Sequence, residues 1–190
     1  MRPQALLALG FTGSAVERYR ELVREHERLA AAEPDRADYQ RDLSVSYERL
    51  ADLVGALGQG EQARELCTAS LDIRQRLAAA EPDRADYQRD LSVSYERLAD
   101  LAAESPDGKG DARDWLSRAV EIRRLQHRRE PERVDLAEEL AVSLRLFTKA
   151  VEEPGGREHI IQEVIVLLAP FEQRGTITSK GTALLVWARQ

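Results

Sequence analysis

The chain has 190 residues, enough for one domain or a short array of repeats, and with 43% hydrophobic and 33% charged residues it can bury a core and stay in water. A net charge of −6 argues against general nucleic-acid binding, which rests on neutralising phosphates. One cysteine, Cys67, excludes an intramolecular disulfide. Only 5% of residues are aromatic, and the strong helix formers Ala and Leu dominate the apolar set, so the chain is expected to be all-α. The longest apolar run, residues 164–171, is far short of a membrane span. The opening MRPQALLALGFTG lacks the apolar length and cleavage site of a signal peptide, so a cytoplasmic protein is expected. Arginine outnumbers lysine 25 to 3, which together with the alanine excess points to a GC-rich, bacterial genome.

Residues 3–9 are apolar and helix-prone, and Gly10-Phe11-Thr12-Gly13 breaks them. A helix is expected from Gly13 or Ser14 to about Ala31, with Ala15, Tyr19, Leu22, Val23 and Leu29 facing inward. Glu33-Pro34 ends it, because proline disfavours a helical residue before it. Asp35 or Asp38 can cap the next helix, which runs to about Leu57. Tyr39, Leu43, Tyr47, Leu50, Val54 and Leu57 follow steps of four and three and make one apolar stripe. Gly58-Gln59-Gly60 is a tight turn with Gly58 in the left-handed C′ position. The partner helix covers residues 61–80, with Ala63, Leu66, Cys67, Ser70, Ile73 and Leu77 inside, and Glu81-Pro82-Asp83 closes it. So short a turn demands antiparallel neighbours, a helical hairpin. A second hairpin follows at residues 86–104 and 111–129, and a third at 132–152 and 156–171 with Pro154-Gly155-Gly156 between its helices. Residues 179–188 are apolar nearly all round and must be covered.

The hairpins repeat. The 26 residues 28–53, RLAAAEPDRADYQRDLSVSYERLADL, recur without change at 76–101, 48 positions later. A weaker copy, Glu130-Pro131-Glu132-Arg133-Val134-Asp135 with Leu140, Val142-Ser143 and Leu144, lies a further 49 on. A fixed period of this size means stacked repeats. The expected divisions are a partial repeat at 1–36, full repeats at 37–84 and 85–133, a divergent third at 134–175, and a capping helix at 176–190.

Leu50-Ala51, Val54, Gly58, Ala63, Cys67 and Ser70-Leu71 occupy one ordered set of positions. Leu98-Ala99, Ala102, Asp107, Ala112, Leu116 and Ala119-Val120 form the second set, and Phe147-Thr148, Val151, Gly156, Ile161, Ile165 and Leu168-Ala169 a looser third. This order resembles the tetratricopeptide repeat, in a long-helix bacterial or kinesin-light-chain-like form. Small residues at Ala51, Ala63, Ala99 and Ala112 suit close approach of paired helices. The resemblance implies an α-solenoid of stacked antiparallel helical hairpins in a right-handed superhelix, with the first helix of each pair lining the concave face. By that resemblance Glu48, Arg49, Asp52, Glu96, Arg97, Asp100, Arg145 and Lys149 face the groove, with Val45, Val93, Val142 and Leu146 among them. The Glu-Arg-Asp sets lie off the apolar stripe, so periodicity also expects them exposed. They are either a solvated face, its pairs worth about a few tenths of a kcal/mol each, or contacts to a ligand.

The resemblance implies a non-catalytic module that holds a peptide or helix of a partner protein in its groove. The alternative is a regulatory or sensor segment of a larger bacterial signalling protein with an ATPase or protease-like domain. The partial first repeat would expose an apolar edge, and the expected alternatives are a fragment of a longer protein, a shortened gene product, or self-association through that end.

His26, His127 and His159 are scattered, without HExxH or CxxC spacing, so neither a metal nor a cofactor is expected. Cys67 reads as a small buried hydrophobe. No nucleophile elbow or phosphate-binding glycine loop occurs, and the chain is not expected to be an enzyme. Residues 123–133 hold five arginines against two glutamates. Arg123, Arg124, His127 and Arg128 form a second, basic patch there. It either complements the helix C-terminus or docks an acidic peptide or phosphate. Neither nucleic acid nor membrane is expected as a partner.

Overall fold

The structure, a computed structural model, describes residues 12–103, 108–151 and 154–190. Among these residues it is all-helical: α1 (Thr12–Ala32), α2 (Ala37–Ala56), α3 (Gly60–Ala80), α4 (Ala85–Ala103), α5 (Lys109–Arg129), α6 (Val134–Ala150), α7 (Pro154–Gln173) and α8 (Ser179–Ala188). The helix-prone stretch 3–9 and the first half of the expected turn at 105–110 lie outside the described residues. Helix α7 starts two residues before the expected Gly156, because proline is tolerated at a first helical position, where no N–H is needed. The chain forms two compact units, Met1–Ser94 and Tyr95–Gln190, and the division falls inside α4. Among the described residues no helix is long and apolar enough to cross a membrane.

In the first unit α1 packs on α2 and α2 on α3. Helix α2 ends in a full Schellman motif: Gln59 N–H donates to Val54 O and Gly58 N–H to Gly55 O, with Gly58 at φ 77°. The positive φ is why glycine stands there. Gly55 faces Ala63 beside this turn, and Ser70 Oγ donates to Ser44 O about three turns away. The two helices therefore run back along each other. Leu43, Leu50 and Val54 are buried as the stripe requires. Leu57 is not: it sits at the C-cap, where the chain has already left the helix, and is exposed. Cys67 is buried in α3.

The same joint appears three times. Arg36 N–H donates to Glu33 O at 3.1 Å, and Arg84 and Arg133 do the same to Glu81 and Glu130. The guanidinium of each then clasps the aspartate two residues on: Arg36 with Asp38 at 2.9 and 2.6 Å, Arg84 with Asp86 at 3.1 and 2.8 Å, Arg133 with Asp135 at 3.0 and 2.5 Å. These contacts correct the expected cap. The N-cap of α2 is Arg36, in extended conformation and without a side-chain cap, while Asp38 lies in the first turn and complements the helix dipole. Its carboxyl is pulled down to about 2 by the Arg36 hydrogen bond.

In the second unit α5 packs on α6, α6 on α7, and α8 on both α6 and α7. The core is Leu140, Leu144, Val164, Leu168, Phe171 and Leu185 with their neighbours. Full burial of a leucine such as Leu144 or Leu168 contributes about 1.5–3 kcal/mol. Helix α8 covers this core with Leu184, Leu185 and Ala188, though Val186 is left outside. Thr178 caps α8, accepting from Lys180 N–H and Gly181 N–H. Its own N–H and hydroxyl donate to the buried Glu138 carboxylate at 2.9 and 2.8 Å. Gly181 leaves room for this contact, since a Cβ there would fall 2.6 Å from Glu138 Oε1. Trp115 stacks on Tyr95 at 5.6 Å between centroids.

Candidate functional site

The charged residues expected in one exposed row do not share one environment. In the first unit Arg49 and Asp52 are exposed, but Glu48 is only 6% exposed. Glu48 is a correction to the sequence expectation, and the reason is Arg74 on α3. Arg74 donates to both Glu48 oxygens at 2.5 and 2.9 Å, to Ser44 Oγ at 3.2 Å, to Ser94 Oγ at 3.0 Å and to Asp90 O at 2.8 Å. Ser94 Oγ also donates to Glu48 at 3.1 Å. A buried ion pair holds only when its remaining hydrogen-bonding capacity is met, as here. The helix α2 face at Ser44 and Glu48 is thus a second, polar buried face beside the apolar stripe. On the other side His26 Nδ1 lies 2.7 Å from Ser46 Oγ, which ties α1 to α2.

In the second unit the corresponding residues part company. Glu96 and Arg97 are half-buried rather than exposed. Ser143 Oγ donates to Glu96, and burial pushes the Glu96 carboxyl up against the opposing effect of Ser143 and Arg123. Arg123, expected in the surface basic patch, is 4% exposed and pairs with Glu139. It stands at the repeat position of Arg74 and is buried like it, but against a different glutamate. Asp100, Arg145 and Lys149 are exposed. Asp100 and Lys149 come together on a cleft of about 300 Å³ walled by Ala99, Leu116, Leu146 and Ala150. Arg145 stands 5.8 Å from the centroid of Trp187.

The other three patch residues, Arg124, His127 and Arg128, meet on a larger cleft of about 840 Å³ between the end of α5, the joint at Pro131-Glu132 and one face of α7. Its floor is apolar: Leu140, Val166, Leu167, Pro170 and Phe171. His159, Glu163 and Arg174 complete the rim. Arg124 makes a two-pronged pair with Glu163 at 2.9 and 2.6 Å, which raises its pKa further. Arg174 reaches Glu132 at 2.5 Å and lies over Phe171 at 4.9 Å. His127 Nδ1 is buried without a hydrogen-bond partner, and burial holds this imidazole below its usual pKa.

Two groups escaped sequence reasoning. Arg74 drew no expectation from the sequence, yet Ser70 and Arg74 on α3 repeat the four-residue step of Ser44 and Glu48 on α2. Two serine-plus-charge pairs on facing helices are the available signal. Glu138 carried none, because its partner Thr178 is 40 residues away. Among the described residues no three of His, Cys, Asp and Glu converge as metal ligands would. Comparison with protein-family models gives no match, and comparison with curated proteins gives no significant similarity.

Proposed function

We propose that the chain is a non-catalytic protein-interaction module of the tetratricopeptide kind, which holds a peptide or helix of a partner protein along the first helices of its pairs. The observation that carries this reading is the cleft holding Asp100 and Lys149. It presents one anion and one cation over an apolar wall of Ala99, Leu116 and Leu146, the composition a peptide needs for both anchoring and register. Arg49 and Asp52 offer the same pair of charges in the first unit. Glu48, Glu96 and Arg123 are withdrawn from this reading, since they hold helices together from inside.

The test uses the purified chain as bait, with Arg49→Glu and Lys149→Glu as separate variants. A partner captured by the parent is mapped to a segment and titrated against all three proteins by calorimetry. Loss of about tenfold or more in affinity for Lys149→Glu is expected. Unchanged binding to both variants would remove the charged helix face from the function.

A further inference from the structure

The third joint, residues 130–137, differs from the first two at four of eight positions, and one of these changes removes a tie. Gln40 Nε2 donates to Ala30 O and Pro34 O at 3.3 and 3.4 Å, and Gln88 does the same to Ala78 O and Pro82 O. Each glutamine ties the joint to the helix before it. The matching residue of the third joint, 49 positions after Gln88, is Ala137. Alanine has no amide to make that tie. His127 stands where the first two copies have Ala30 and Ala78. The crevice between the joint and the second helix after it is about 400 Å³ at the first joint and about 840 Å³ at the third.

The enlarged cleft is unlike the rest of the surface. Val166 on its floor is 72% exposed, the most of any large apolar side chain among the described residues. Its charge also opposes that of the chain: Arg124, Arg128 and Arg174 against Glu132 and Glu163, with two histidines, on a protein of net charge −6. Arg124 and Arg174 are matched by the two glutamates, which leaves Arg128 without an acidic partner among the described residues. Favourable charge at the end of α5 accounts for a cation there, but not for an open apolar floor beside it.

We propose that this cleft binds a short segment of a partner protein carrying bulky apolar side chains flanked by carboxylates. The α7 wall from His159 to Arg174 is roughly 22 Å long by helical rise, the span of about six or seven extended residues. The apolar side chains lie on Val166, Leu167 and Pro170, and a flanking carboxylate pairs with Arg128. The site is separate from the cleft of Asp100 and Lys149 and does not depend on it.

The probe is a labelled pool of hexapeptides with two acidic residues, two drawn from Leu, Phe, Met and Trp, and two further acidic residues, followed by fluorescence anisotropy. Controls are the same pool with lysine for the acids, the same pool with serine for the apolar pair, and inorganic phosphate as competitor. Saturable binding of the acidic pool is expected, weakened about tenfold or more by Val166→Asp and by Arg128→Glu, both surface changes whose helicity is checked by circular dichroism. Lys149→Glu is expected to leave this binding unchanged, which separates this site from the proposed function. No binding by the acidic pool, equal binding by the lysine or serine pools, insensitivity to Val166→Asp and Arg128→Glu, or displacement by phosphate alone would each overturn the proposal.

Discussion

The first and third joints have the same turn, the same arginine clasping an aspartate two residues on, and the same proline. Yet one encloses a crevice half the volume of the other. The clasp is local, formed within six residues, and recurs at all three Glu-Pro-x-Arg-x-Asp stretches of this chain. The space beside it differs in what lines it: Gln40 faces the first crevice, whereas Val166, Leu167 and Pro170 of α7 line the third. The buried charges repeat the contrast. Glu48 is met by Arg74 across one helix pair, whereas its copy Glu96 accepts from Ser143 while Arg123 turns to Glu139. An identical stretch of sequence thus serves two different networks, because its partners lie in the parts that are not repeated.

Removing Arg74 should break this comparison most severely. Arg74→Met takes a two-pronged cationic partner from the buried Glu48 and should cost about 3–5 kcal/mol by urea denaturation, while the double change Glu48→Leu, Arg74→Met should recover most of the loss, since an apolar pair has no charge to satisfy. A single variant as stable as the parent would mean the pair is not the organising contact it is taken to be.

Next comes the core of the second unit. Leu168→Ala deletes a fully buried side chain and should cost about 2–5 kcal/mol. Val166→Asp on the same helix, two residues away but exposed, should change stability by about 0.5 kcal/mol or less. Equal effects at the two sites would contradict the assignment of the inner and cleft faces of α7.

Gly58→Ala sharpens the local side of the comparison. Its φ of 77° strains any L side chain, and a loss on the order of 1 kcal/mol is expected. Gly60→Ala, three residues from Leu57 and outside the left-handed region, should be close to neutral.

The smallest effect is a pH dependence in the second unit. The folded His127 is held below its ordinary 6.5 by burial, so between the two values the unfolded chain binds more protons. Stability should fall as pH drops below about 6.5 and level off below the folded value, and His127→Ala should flatten that slope. Glu96 acts in the opposite sense at lower pH: its raised carboxyl takes up a proton first in the folded state, so stability gained from it grows as pH falls towards 4.5. A slope that persists in His127→Ala would assign it elsewhere.

Most of the element order was legible because helix boundaries here are local events. Proline at 34, 82 and 131, glycine at 58 and the three-and-four spacing of Leu43, Leu50 and Val54 act within a few residues and need no knowledge of neighbours. The same approach misjudged Glu48 and Arg123. A charge off the apolar stripe is exposed only if no third helix covers that face, and helices in this chain are flanked on more than one side. Of the candidate site, Asp100 and Lys149 were anticipated as members of one row, and Arg124, His127 and Arg128 as one patch. The apolar floor beneath the patch was not, because Val166 and Pro170 in sequence look like more of the core.

By itself, the sequence determined the helices, their period and the proline-bounded turns between them, all of which follow from residue types within about one or two turns of each other. Only the tertiary structure decided which charges went inside, that Glu138 would hold the cap of the last helix from 40 residues away, and that the third joint would stand open. Those outcomes depend on which side chains meet across helices, and burial there sets whether a charge is matched or left to solvent.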